Sequence, residues 1–170
     1  MLLQIRRHPR GSIDGIRLES FRLGVVYDLG PQLASTFLAE GWAKPVNVGS
    51  VILVVDDQED VRKFTVRLLA THGYGVVEAQ DGREAIERLR ECEPALVLLD
   101  LNMPVMNGWE FCAELRRLDD QRLAAIPVVL LTAEPDVDLR HQAELRAAGL
   151  VRKPFEAERL IDTIQDVLER

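Results

Sequence analysis

The sequence predicts an α/β fold built on a parallel sheet with helices on both faces, and three observations predict it. The runs 51–55 and 95–99 are continuously aliphatic rather than alternating, as expected of strands buried on both faces. A third run, 126–131, repeats the pattern, and the segments between the runs carry apolar residues at helical spacing. Each run also ends in polar chemistry: Asp56 and Asp57 after the first, Asp100 after the second, Thr132 after the third.

The elements follow in order. After the first strand, Val61, Phe64, Leu68 and Leu69 have helical spacing, and His72-Gly73 stops that helix. Residues 74–79 read as the second strand, followed by a helix through Ala85, Ile86 and Leu89. The Asn107-Gly108 turn leads into a third helix reaching about residue 118. A fourth helix is expected from about 135 to 147, and a last one over 157–168 behind the short strand Leu150-Val151-Arg152-Lys153. Alternation at these lengths demands right-handed crossovers and a sheet covered on both sides.

In such a sheet the crevice lies at the carboxyl ends of the strands, so acids 44 residues apart, Asp56 and Asp100, can meet in one pocket. Clustered carboxylates repel one another unless a cation accompanies them. The expected cation is Mg²⁺, a hard ion that prefers oxygen ligands. Lys153, followed by Pro154, brings an ammonium to the same edge, and Thr132 brings a hydroxyl. That set suits phosphoryl chemistry: the metal and Lys153 neutralise phosphoryl oxygens, Thr132 hydrogen-bonds one of them, and an acid is the nucleophile.

Taken singly, these residues have plainer readings. Asp56 or Asp57 could cap the helix opening near Gln58 or Glu59. Thr132 is an ordinary strand residue and Lys153 an ordinary surface charge. Two adjacent acids plus Asp100 exceed what capping needs. Met103 and Met106 read as gap-fillers that shape a loop.

Four pieces stand in a familiar order: Val54-Val55-Asp56-Asp57, the run from Leu99-Asp100 through Asn102-Met103-Pro104 to Asn107-Gly108, Leu131-Thr132-Ala133, and Lys153-Pro154-Phe155. On these residues the segment 51–170 resembles the receiver domain of bacterial two-component response regulators. The resemblance implies a flavodoxin-like (βα)5 sheet of order 2-1-3-4-5, with the acid pocket at its switch point. It also implies that Asp100 is phosphorylated by a sensor histidine kinase or phosphotransfer protein. Asp57 would bind Mg²⁺ directly, Asp56 through water and Asn102 through its backbone carbonyl, with Asp100 completing the set. Thr132 would be the switch hydroxyl and Lys153 the phosphoryl's partner. Asn102 and Glu134 would tune loss of the phosphoryl group to water, making the domain a slow self-phosphatase and not otherwise an enzyme. Many receivers carry Tyr or Phe three residues before the lysine; Leu150 stands there, so readout is expected through the Thr132 loop and the following helix.

Composition fits a cytoplasmic protein with one sizeable core: 47% apolar and 29% charged residues in 170. No apolar run reaches the length of a membrane span, and the first residues lack a signal-peptide core. Cys92 and Cys112 have no metal-like spacing and read as reduced, structural thiols. Residues 1–50 carry a net charge of +2 and residues 51–170 one of −9, which argues against nucleic-acid binding by the acidic part.

Residues 1–48 read as a separate small αβ module and 50–170 as the receiver, with Asn47-Val48-Gly49-Ser50 as linker. The module's expected elements are a strand over 2–5, a turn over 11–15, a strand over 24–28, a helix over 31–40 and a third strand over 42–46. Pro31 favours a helix start and Gly41 a stop. Its basic cluster, Arg6, Arg7, His8 and Arg10, reads as a solvated strand end, since no helix-turn-helix or aromatic platform accompanies it. A regulatory or docking role is expected for the module.

The leading function is a phosphorylation-activated switch signalling to a downstream protein target, with a homodimer possible. A transcriptional regulator with a DNA-binding N-terminal module is the alternative. Phosphotransferases resembling haloacid dehalogenases place a second Asp two residues after the first, where this chain has Asn102. No Gly-rich phosphate loop, Ser/His/Asp set or zinc signature is present.

Overall fold

The computed structural model describes residues 2–7, 9–13, 15–22, 26–45 and 49–170. They form two compact units, Met1–Val48 and Gly49–Arg170.

The first unit contains β1 (Leu2–Ile5), the hairpin strands β2 (Ser12–Ile13) and β3 (Ile16–Arg17), β4 (Val26–Asp28), α1 (Pro31–Ala39) and β5 (Ala43–Pro45). Antiparallel pairing gives the order β4-β1-β5. Leu3, Ile5, Leu18, Phe21, Ala34 and Phe37 close its core, where the Phe21 ring meets those of Tyr27 and Phe37 edge-on at 4.9 and 5.0 Å. Pro31 opens α1, and Gly41 turns the chain out of it at φ +65°. The strands, helix and turn expected from sequence are present where described. His8 of the basic cluster, Asp14 of the turn, Gly24 and Val25 of the second expected strand, Val46 of the third, and Asn47 and Val48 of the linker lie outside the described residues.

The second unit alternates strand and helix: β6 (Val51–Val55), α2 (Glu59–Thr71), β7 (Gly75–Ala79), α3 (Gly82–Cys92), β8 (Leu96–Asp100), α4 (Gly108–Leu115), α5 (Gln121–Ala124), β9 (Val128–Thr132), α6 (Leu139–Glu144), β10 (Gly149–Arg152) and α7 (Ala157–Leu168). All four pairings are parallel, in the order β10-β9-β8-β6-β7, which is the 2-1-3-4-5 order with its reversal between β6 and β8. The continuous aliphatic runs have a direct cause. Leu53, Val55, Val97, Leu99, Val128 and Leu130 face one core with Ile86, Leu89 and Phe111. Ile52, Val54, Leu96, Leu98, Val129 and Leu131 face another with Leu69, Leu160, Ile161 and Ile164. Neither side of a central strand meets water, so neither can alternate.

Two helices are shorter than their patterns. The third ends at Leu115, and the four-residue α5 follows, opened by Asp120, whose side chain accepts from the Arg122 amide. The fourth spans only Leu139–Glu144 rather than 135–147. Asp138 caps it, accepting from the Arg140 and His141 amides, so 133–138 stays a loop, and Arg146 at φ +50° follows its end.

Candidate functional site

Three strand ends and one strand exit build the site. β6 delivers Asp56 and Asp57, β8 ends in Asp100, β9 ends in Thr132, and Lys153 follows β10. Because these strands run parallel and adjacent, their carboxyl ends share one edge on either side of the order reversal.

Asp56 and Asp100 are buried, 1% and 4% exposed, whereas Asp57 is exposed. Carboxylate oxygens of all three lie within 4.8 Å of one another. Lys153 Nζ sits between the buried pair, 2.6 Å from Asp56 Oδ2 and 2.7 Å from Asp100 Oδ2. The other oxygens are held by backbone: the Gln58 amide donates to Asp56 Oδ1 at 2.9 Å and the Asn102 amide to Asp100 Oδ1 at 3.3 Å. Asp56 therefore shapes the entry to α2 without being its N-cap, which is Gln58.

Burial pushes the Asp56 carboxyl above its ordinary range, and the Lys153 hydrogen bond offsets only part of that rise. Burial opposes the Lys153 ammonium too, but the hydrogen bonds it donates to Asp100 and Asp56 prevail, and its pKa is raised. The ammonium thus stays charged across the physiological range.

Thr132 is fully buried, and its hydroxyl oxygen accepts from the Glu134 amide at 3.0 Å. As a hydroxyl it keeps a proton to donate. Asn102 lies two residues past Asp100, with its amide turned to that carboxylate. Asn107 opens α4 through a reciprocal capping box with Glu110, and Gly108 brings the backbone against Asp100. Beside Lys153 runs a groove lined by Gln58, Val61, Phe64, Ala133, Pro154 and Phe155. Leu150 packs, partly buried, against the core beneath α3 and α4.

Three convergent carboxylates, two of them already close-packed, form an all-oxygen donor set that fits a hard divalent cation. Asp56, Asp57 and Asp100 would hold it.

Two arginines escaped the sequence reading. Arg62 donates to the Asp56 carbonyl at 2.7 Å and pairs with Glu78 at 3.2 Å. Arg152 donates to the carbonyls of Glu134, at 2.6 Å, and Val137. An arginine that binds carbonyl oxygens leaves no partner pattern to find in a sequence.

An open doubly wound sheet whose switch-point crevice gathers three acids, a lysine and a threonine defines an acidic-pocket α/β protein of the flavodoxin-like class. The chain belongs to the response regulator receiver domain family, whose model matches residues 52–165. It is 38% identical over 120 residues to the response regulator MprA of Mycolicibacterium vanbaalenii, covering 70% of this chain and 50% of that one. It is 39% identical over 120 residues to "Probable transcriptional regulator ycf27" of Porphyridium aerugineum, covering 70% and 48%. The chain thus spans about half the length of these curated relatives. Among solved structures, the chemotaxis response regulator CheY4 of Vibrio cholerae superimposes with a TM-score of 0.65 at 32% identity, over 71% of this chain and 99% of that one. Among the described residues, no helix is long and apolar enough to cross a membrane.

Proposed function

We propose that this chain is a phosphorylation-activated response regulator of a two-component or phosphorelay system, with Asp100 as phosphoacceptor. The observation that carries the reading is the single ammonium of Lys153 shared by Asp56 and Asp100, with exposed Asp57 beside them.

A carboxylate oxygen of Asp100 attacks phosphorus; the new O–P bond forms as the bond to a histidine nitrogen of the donor breaks, and the donor leaves as neutral histidine. Lys153 lies where it can follow the charge from the carboxylate to a phosphoryl oxygen, and the spare Thr132 proton can be donated to another. Mg²⁺, held by Asp56, Asp57, Asp100 and the Asn102 carbonyl, would supply charge neutralisation for the transferred group. Asn102 and Glu134, two residues beyond Asp100 and Thr132, would tune its loss to water. The donor is a histidine kinase or phosphotransfer protein, and the apolar groove lined by Val61, Phe64 and Phe155 offers it a contact surface beside Lys153.

Beryllium fluoride with Mg²⁺ mimics the acyl phosphate and tests the reading. Amide resonances around Asp100, Thr132 and Lys153 are expected to shift in the wild type and not in Asp100→Asn. A wild type without Mg²⁺-dependent shifts, or robust phosphorylation of Asp100→Asn, overturns it.

The N-terminal unit, with its own aromatic core, serves regulation or docking in this reading. Deleting residues 1–48 should leave phosphoryl uptake intact and abolish signalling; wild-type signalling by the deletion would refute that role. The family model matches residues 52–165, outside this unit, and no helix-turn-helix or aromatic platform accompanies the module's basic cluster in the sequence, which favours protein contact over DNA. A homodimer formed on phosphorylation would show as a mass change in light scattering.

A further inference from the structure

The geometry points to Arg152 as a positioning residue, a latch on the loop that carries Thr132, and this inference rests on the phosphoacceptor reading. Arg152 and Thr132 are register partners across β10 and β9, and the next residue, Lys153, donates its amide to the Thr132 carbonyl at 2.9 Å. Two consecutive residues therefore serve two parts of one device. Lys153 reaches into the acid pair, while Arg152 reaches the loop 133–138 and donates to the carbonyls of Glu134 and Val137. A guanidinium places two donors in a fixed fork, so it holds both carbonyls in one relative position.

Glu134 is held at both of its backbone polar groups, which belong to the peptides on either side of its Cα. Its carbonyl accepts from Arg152, and the amide of the same residue donates to Thr132 Oγ1 at 3.0 Å. Any displacement of the hydroxyl toward a phosphoryl group on Asp100 pulls on the Glu134 amide and so works residue 134 against the Arg152 fork at its carbonyl. Val137, the second anchor, is 2% exposed and belongs to the core, so the far end of the loop cannot follow freely. With Leu150 in place of an aromatic ring, Arg152 on the same side of the same strand is what ties β10 to this loop. It biases the loop toward the arrangement seen here and opposes recruitment of Thr132; a ligand on Asp100 must outweigh that bias.

Titration of the full chain with beryllium fluoride in saturating Mg²⁺, followed by amide NMR, tests the latch through a double-mutant cycle. Arg152→Met should bind the mimic about three- to tenfold more tightly than wild type, the factor that about one net hydrogen bond of bias converts to. Arg152→Lys, which keeps one donor, should fall between the two and guards against a poorly folded Met variant. In a Thr132→Ala background the gain should vanish, a result a merely structural role would not produce. Unchanged or weakened binding by folded Arg152→Met and Arg152→Lys, or a gain that persists without Thr132, overturns the latch alone. Absence of any response in the wild type overturns the phosphoacceptor reading and the latch with it.

Discussion

Gly108 leaves no room for a side chain beside Asp100: a Cβ on it would stand 2.5 Å from the Asp100 carbonyl oxygen and 2.8 Å from Leu101 Cα. Both obstacles are backbone, so neither can swing aside. The Gly108 amide donates to the Leu101 carbonyl at 3.0 Å, which locks the loop's return onto the end of β8. Gly108→Ala must push α4 away from the acceptor strand. It is expected to cost about 2–3 kcal/mol, measured by urea denaturation, with weakened beryllium fluoride binding. A loss below about 0.5 kcal/mol, the level of an ordinary surface change, would mean that α4 slides without strain.

Much of this site is legible in the sequence, for a physical reason. β6 and β8 are buried on both faces, so they must be wholly apolar up to the point where the chain surfaces, and Asp56, Asp57 and Asp100 stand where the apolar run stops. The same logic hid other parts. α5 has four residues, too few to show a period, and Pro135, Asp136 and Val137 carry the pattern of a helix start that Asp138 preempts by capping. Lys153 was expected as the phosphoryl's partner; that it bridges Asp56 and Asp100 depends on the meeting of three strand ends. Arg152 binds carbonyls, which every residue has, so its role had no sequence signal.

Lys153 holds two buried carboxylates, and its loss has a pH signature. In Lys153→Met, Asp56 and Asp100 face each other without a cation, and their repulsion adds to the burial that already raises Asp56. Acids with a raised folded pKa bind more protons folded than unfolded, so stability falls as pH climbs through that range. The variant should therefore lose on the order of 3 kcal/mol near pH 8 in a chelator and clearly less near pH 5. Added Mg²⁺ should restore part of the loss near pH 8. Denaturation midpoints at the two pH values, with and without Mg²⁺, check this; a deficit equal at both pH values would show that the ammonium's packing, not its charge, matters.

The two cysteines should differ sharply in reactivity. Burial pushes the Cys112 thiol up from about 9 to about 11, while Cys92 is only partly buried. A thiol reagent at neutral pH is expected to label Cys92 first and to reach Cys112 only on unfolding. The linkage sign follows: above pH 9 the unfolded thiol ionises while the folded one stays protonated, so stability falls between pH 9 and about 11. Cys112→Ala should remove that part of the alkaline decline, leaving a constant packing loss. Parallel alkaline slopes in the two proteins would contradict the shift.

Val105 is 80% exposed and sits at φ +67°, a region that β-branched residues rarely occupy. The Met106 amide donates to the Pro104 carbonyl at 2.7 Å, so Val105 is the middle of a three-residue turn between the acceptor strand and α4. That turn seats Met106, whose carbonyl accepts from the Gly82 amide at 3.1 Å and whose side chain fills the place a Gly82 side chain would need. Closure of the loop over α3 thus sets the backbone at 105, and the valine endures it with little burial in return. Replacing it with glycine removes a Cβ clash of about 1–2 kcal/mol and adds unfolded-state freedom of about 0.4–1 kcal/mol. Val105→Gly should therefore stabilise the protein by about 0.5–1 kcal/mol, whereas Val105→Ala, which keeps the Cβ, should change stability by no more than about 0.5 kcal/mol. Chemical denaturation of the three proteins decides the matter: if glycine destabilises, the valine side chain supports the turn and its exposure misrepresents it.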